Sequence, residues 1–408
     1  MTRELDIVLF GASGFTGRLV AEYLVARRSG VRLALAGRSG HRLAEVRSGL
    51  AGIDPAAEAL PIVIGDSRDP RAMADIARRA RVVCSTVGPY SNYGDPLVAA
   101  CVEAGTSYCD ITGEIHWIRR TIEAHQARAQ ATGARIVHCC GFDSIPSDLG
   151  VFMLHQHLAA QGDRLVEAHG RVSMKSPGGL SGGSIATLMA IFEDLHEPTV
   201  RRALLDPYVL DPPGGARGPD RRDFRAPGRD ADSRSWTAPF MMAPINTRVV
   251  RRSNALLGHA YGRDFRYDEA VATGEGVAGF VRAAGISAAL GGAGALAVVP
   301  LGRKLLARFL PPPGEGPNRE QREQGWFRVE IHARSAAGKT LTGVVGGSHD
   351  PGYGGTAIML GEAALSLAQD DLPSSGGVLT PAVAMGEKLI ERLRAAGDMY
   401  QVECPHRP

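Results

Sequence analysis

Gly11, Ser13, Gly14, Phe15, Thr16 and Gly17 lie where an apolar run, Ile7-Val8-Leu9-Phe10, meets a helical pattern over residues 18–27, with three glycines at three-residue spacing. Residues of these types at this spacing suit a pyrophosphate. Gly11 permits a sharp turn, Gly14 puts no side chain between backbone and phosphate, and Gly17 lets strand and helix pack closely. The free amides and the positive end of the helix dipole then face the anion. A second short strand, residues 32–38, ends in Arg38 where an NAD site would place a carboxylate for the ribose 2′-hydroxyl. Arg38, with Ser39 and Arg42 beside it, instead suits the 2′-phosphate of NADP. Asp66 follows a third strand, residues 61–65, and either approaches the adenine or caps the next helix.

Two later loops concentrate the remaining polar chemistry. The first, Gly88-Pro89-Tyr90-Ser91-Asn92-Tyr93-Gly94, leaves a fourth strand over residues 81–87. The second, Cys140-Gly141-Phe142-Asp143-Ser144-Ile145-Pro146, leaves a sixth strand over residues 135–138. Both belong to the second half of a repeated strand–helix pattern, so both should open at the edge where a dinucleotide crosses the switch point. Gly88 and Pro89 allow the backbone to approach the nicotinamide, while Tyr90, Tyr93, Asp143 and Ser144 supply polar groups. Asp143 or Ser144 capping the helix that starts near Pro146 is the structural alternative.

The elements that position these residues read as an α/β fold. Short connections and right-handed crossovers over residues 1–150 make a parallel, doubly wound Rossmann sheet. A second α/β domain is expected over 151–350, and C-terminal helices, 356–369 and 380–396, over 351–408. Residues 214–234 lack an apolar period and read as a loop whose arginines, Arg217, Arg221, Arg222, Arg225 and Arg229, interleave with aspartates as a solvated surface. Residues 276–310 read as an apolar hairpin. Gly285 to Leu301 is 17 residues without a charge, followed by Arg303, Lys304 and Arg308. It is short and glycine-rich for a bilayer span and suits an interface or a substrate wall.

Composition narrows the class. With 408 residues, 44% hydrophobic and 22% charged, the chain is globular and long enough for two cores. A net charge of +3 gives no argument for nucleic acid. The six cysteines show no CxxC pairing, which suggests reduced thiols in a cytoplasmic protein and no metal site. The first residues enter a strand directly, so no signal peptide is expected.

Taken together, GASGFTG at 11–17, AGRS at 36–39, GPYSNYG at 88–94, DITGE at 110–114, GFDSIPSDLG at 141–150, PGYGGTA at 351–357 and SSGGVLTPA at 374–382 resemble the saccharopine-dehydrogenase-like oxidoreductases, in particular the trans-acting enoyl reductase branch. The resemblance implies NADP as cofactor, a second α/β domain with a mixed sheet that contacts substrate and often forms a homodimer, C-terminal helices that pack back on the first domain, and the GPY and GFDSIP loops flanking the nicotinamide. It also implies a lipid or polyketide acyl substrate, free or on an acyl carrier protein or polyketide synthase. Conjugate hydride delivery needs a donor to the developing enolate oxygen and an acid for the α-carbon. Tyr90, Tyr93, Asp143 and Ser144 are the available groups. Saccharopine-type C–N chemistry and a non-catalytic NADP-binding protein with peripheral membrane contact are the alternatives. The first is weakened because saccharopine reductases carry a GLDPGIDH-like sequence where this chain has GFDSIPSDLG.

Overall fold

The computed structural model describes residues 3–177, 197–215, 217–221, 227–230, 233–299, 302, 316–373 and 375–404. Continuous apolar runs give β1 (Leu5–Phe10), β2 (Leu33–Gly37), β3 (Ile62–Ile64), β4 (Ala80–Ser85), β5 (Ser107–Asp110) and β6 (Arg135–Val137). They pair in parallel in the order β6-β5-β4-β1-β2-β3. A strand buried on both faces needs no polar alternation, and β1 shows none. Helices Phe15–Arg27, Gly40–Leu50 and Thr356–Gln369 cover one face; Pro70–Arg79, Asp95–Ala104 and Ile115–Thr132 cover the other. Strand order reverses between β1 and β4, which opens a crevice at their carboxyl ends.

The second sheet is mixed, as the resemblance implies. It comprises β7 (Leu165–Lys175), β8 (Gly228–Arg229), β9 (Trp236–Pro239), β10 (Arg266–Gly274), β11 (Trp326–Ser335), β12 (Thr340–Gly347) and β14 (Met399–Glu403), in the order β14-β12-β11-β7-β10-β9-β8. Only β7 and β10 run parallel. Helix Ile145–Ala159 joins the two sheets. Its Leu149 and Leu154 belong to one core that runs from Ile7 and Leu9 to Ile331 and Val345. A Cβ on Gly150 would come within 2.4 Å of Ile331, so glycine sets that helix's closeness to the second sheet.

The C-terminal segment departs from the simple helical expectation. It adds β13 (Gly377–Leu379) beside β6 and β14 to the far edge of the second sheet. The helix read over 380–396 is broken into Pro381–Ala384 and Gly386–Ala395, because Gly386 adopts φ +47° after Met385. Residues 276–298 form one helix, Gly276–Val298, and most of the remainder of the segment read as a hairpin lies outside the described residues. Helix Ala243–Leu256 was masked in the sequence by arginines. Arg248, Arg251 and Arg252 are buried there, their guanidinium groups donating to the carbonyls of Leu204, Pro207, Leu210 and Val378 among others.

Candidate functional site

The glycine turn has the geometry its spacing predicts. Gly11 adopts φ +94°, and a Cβ on Gly17 would lie 2.1 Å from the Gly11 carbonyl oxygen. Gly14 caps helix Phe15–Arg27 without any side-chain acceptor. The backbone amides of Ser13, Phe15, Thr16 and Gly17 find no acceptor among the described residues. Unfilled amides around an open glycine are the fit expected of a phosphate cradle, which is what a dinucleotide brings. Thr86 at the end of β4 donates to the Gly11 carbonyl at 3.2 Å and fixes the turn to the neighbouring strand.

Arg38 is exposed at the end of β2 and has no ion-pair or hydrogen-bond partner among the described residues. Ser39 caps helix Gly40–Leu50, accepting from the Arg42 amide at 3.4 Å. Asp66 closes a local turn by accepting from the Arg68 amide at 2.9 Å. The capping alternative for Asp66 falls to Asp69, whose carboxylate receives the Arg71 amide at the start of helix Pro70–Arg79.

The two loops expected to hold the chemistry are wired together by the DITGE segment. Asp110 accepts from the amides of Thr112 at 3.1 Å and Cys139 at 3.3 Å, and its other oxygen lies 2.8 Å from His138 Nδ1. Glu114, fully buried, accepts from the amides of Tyr90 at 2.6 Å and Ser91 at 2.9 Å. One pentapeptide thus holds the loop after β4 and the loop after β6. Asp110, Glu114 and His138 were not singled out as site residues from sequence. Their signal was the pair of carboxylates spaced to straddle a strand exit. His138 Nε2 is enclosed and lacks a hydrogen-bond partner among the described residues, with the Trp117 ring 4.9 Å away.

The four candidate catalytic side chains separate once placed. Tyr90 is buried, its hydroxyl donating to the Ser85 carbonyl at 3.1 Å and accepting from the Ile111 amide at 3.4 Å. Burial pushes its phenol well above the ordinary value, and its ring stacks on Trp117. That placement makes it a brace of the loop and not a proton donor to a ligand. Ser144 is likewise fully buried; its hydroxyl proton is shared between the Asp143 carbonyl and, at 3.3 Å, Asn246 Oδ1, and Asn246 donates to Glu269 at 2.9 Å. Ser144 therefore ties the loop to the second domain.

Tyr93 and Asp143 remain reachable. Tyr93 is partly exposed and accepts from Arg68 at 3.2 Å, with its own proton left to donate. Asp143 follows Phe142, which packs between Phe240 and Phe327 of the second domain. Its side chain has no ion pair or hydrogen bond among the described residues, and burial pushes its carboxyl up to about 6. A carboxyl so placed is part protonated near neutrality, as a proton donor requires.

Of the arginines read as a solvated surface, Arg217 pairs with Asp206 at 2.6 Å, whereas Arg222 and Arg225 lie outside the described residues.

Residues 7–137 match the family model described as the saccharopine dehydrogenase NADP binding domain. The chain is 42% identical to a trans-acting enoyl reductase of Mycobacterium tuberculosis and 41% identical to one of Mycobacterium ulcerans, covering 97% of each chain in both cases. Among solved structures it is similar to the saccharopine dehydrogenase (L-Glu forming) of Saccharomyces cerevisiae, with 13% identity, a TM-score of 0.49 and coverage of 98% of this chain and 99% of that one.

Proposed function

Because the chain belongs to the trans-acting enoyl reductases of the saccharopine-dehydrogenase-like family, we propose that it reduces the enoyl group of a lipid or polyketide acyl intermediate at the expense of NADPH. The observation that carries the reaction is Asp143, a carboxyl without an ion pair or hydrogen bond among the described residues, pushed up to about 6 by burial, on a loop at the carboxyl edge of the parallel sheet. When bound, NADPH supplies hydride. The glycine turn and its amides hold the pyrophosphate, and Arg38 takes the 2′-phosphate. Asp143 delivers a proton to the α-carbon, and the Tyr93 hydroxyl donates to the oxygen on which enolate charge develops. Glu114 and Asp110 keep the two loops in register, and Phe142, Phe240 and Phe327 exclude water beside Asp143.

The test is NADPH oxidation in the presence of enoyl thioesters of increasing chain length, with lysine plus an oxo acid as the C–N alternative. Saturated thioester as product supports the reading. Turnover of the amino-acid pair alone, with no enoyl reduction, overturns it.

Arg38→Asp should weaken NADPH about ten- to a hundredfold and leave NADH nearly unchanged, since a charge-assisted phosphate contact is worth that much. Fluorescence titration of both cofactors checks this. Equal losses for the two cofactors would remove Arg38 from the 2′-phosphate site.

Helix Gly276–Val298 supports a peripheral membrane contact. Arg282 is its one charged residue, and that side chain is turned back to donate to the Thr273 carbonyl at 2.9 Å. The segment Gly276–Ala297 has mean hydropathy 1.4 with 11% of its apolar window buried. A Cβ on Gly285, Gly291, Gly292 or Gly294 would meet nothing within 4 Å. One stretch of the helix packs on the second sheet, with Phe280 against Trp236 and Ala283 buried, but most of its apolar surface is uncovered and needs an apolar medium, and its glycines and alanines favour the bilayer interface over a full span. Arg303, Lys304 and Arg308 lie outside the described residues. The protein should be recovered without detergent and bind anionic phospholipid vesicles, and Val281→Asp with Leu296→Asp should abolish that binding. Recovery solely in carbonate-resistant membranes would contradict an interfacial seat.

A further inference from the structure

Beyond the glycine turn and Arg38, a cation from the second domain lies over the ring of Phe15, the residue that opens the helix of the same turn. Residues 316–325 precede β11 and lie directly on Phe15, the first residue of the cradle's helix. A Cβ on Gly316 would come within 2.6 Å of the Phe15 ring. Tyr353 closes the other side, edge-on to Phe15 at 5.2 Å. The guanidinium carbon of Arg322 is 5.9 Å from the centre of that ring.

The Arg322 backbone is held in place. Its carbonyl accepts from the amides of Asp350 at 2.9 Å and Gly325 at 3.3 Å, and Asn318 and Gln321 cap the short helix that carries it. Its side chain spends one N–H on the Pro317 carbonyl at 2.7 Å. A guanidinium has five N–H donors, and no carboxylate pairs with this one among the described residues. The contrast lies three residues away, where Arg319 is paired with Glu323 at 2.7 Å. Nearby negative groups are committed elsewhere: Asp350 accepts from Ser176 and from the Tyr353 amide. A partly buried cation with no carboxylate partner among the described residues, set over the ring of the residue that opens a helix whose first amides are unfilled, is arranged for an anion brought from outside.

We propose that Arg322 is a cofactor-binding residue that contacts the pyrophosphate of NADP from the second domain, so that residues 316–325 close over the bound dinucleotide. The contact is with the part that NADPH and NADH share, which separates it from the role of Arg38. It rests on the cofactor assignment alone and not on enoyl chemistry, so binding can be read without any acyl substrate.

Titrating full-length protein with NADPH and with NADH tests it, alongside thermal melting of the unliganded protein. Arg322→Gln should weaken both cofactors about tenfold or more and by the same factor, and should flatten the dependence of affinity on salt. The unliganded melting temperature should not change, and Arg322→Lys, which keeps the charge and loses the fork, should recover part of the loss. Unchanged affinity for both cofactors overturns the proposal. So does a loss confined to NADPH, or a loss matched by a lowered melting temperature that lysine does not repair.

Discussion

Replacing Asp143 by asparagine lowers kcat by about 10² to 10³ while the dissociation constant for NADPH stays within about twofold, because the amide keeps the shape of the carboxyl and cannot give up a proton. The direction with pH follows from burial. With its pKa pushed by burial from the ordinary carboxylate range up to about 6, Asp143 is mostly protonated below 6 and mostly ionised above it. The rate should therefore fall about tenfold per pH unit above roughly 6, and the variant should lose that limb. The same shift fixes the effect on stability. A carboxyl whose pKa is raised by folding contributes stability that is present below about 4 and is lost as pH rises through about 6. The asparagine variant should accordingly be no less stable than the parent at pH 8. Stopped-flow measurement of NADPH oxidation across pH, with melting curves at matching values, gives both readings. A variant that keeps its rate, or one that loses NADPH binding in proportion, would remove Asp143 from proton transfer.

The parallel sheet and the cofactor turn were legible because both rest on local signals. Three glycines follow a buried strand, and a basic residue ends the next strand. The surroundings of the candidate catalytic side chains were not legible, since Tyr90 and Tyr93 are equivalent in sequence. Their difference arises from Trp117, Ser85 and Ile111, which come from elsewhere in the chain and enclose Tyr90 alone. Ser144 is likewise buried against Asn246, 102 residues away in the chain. Helix Ala243–Leu256 was obscured because Arg248, Arg251 and Arg252 look like solvent-facing residues until the carbonyls that they satisfy are known. β13 is three residues long, too short for alternation to show, and it exists because β6 offers an open edge. The described part of the apolar segment 276–310 forms one helix because alanine and leucine outweigh isolated glycines when no proline intervenes.

Glu114 carries the last and largest structural expectation. Its two carboxylate oxygens each receive one amide of the loop after β4, at Tyr90 and Ser91, and the residue is fully buried. Glu114→Ala strands both amides away from water, at about 1 to 3 kcal/mol each. A loss of about 2 to 6 kcal/mol follows, read as a lowered midpoint in chemical unfolding. Glu114→Gln should fall between the two, because a carboxamide offers one acceptor and turns its own NH₂ toward the second amide. Tyr90→Phe provides the contrast. It removes the hydroxyl bonds to Ser85 and Ile111 but keeps the ring on Trp117, so it should cost stability while the folded fraction keeps its rate. The Glu114 variants should also lose rate, since the loop they release carries Tyr93, whereas the glycine turn is held separately by Thr86 and should keep its hold on NADPH. If Glu114→Ala unfolds at the same denaturant concentration as the parent, the amides have found other acceptors and the loop does not depend on this carboxylate. If it loses stability but keeps full turnover, Glu114 supports the fold alone and the register of the loop is set elsewhere.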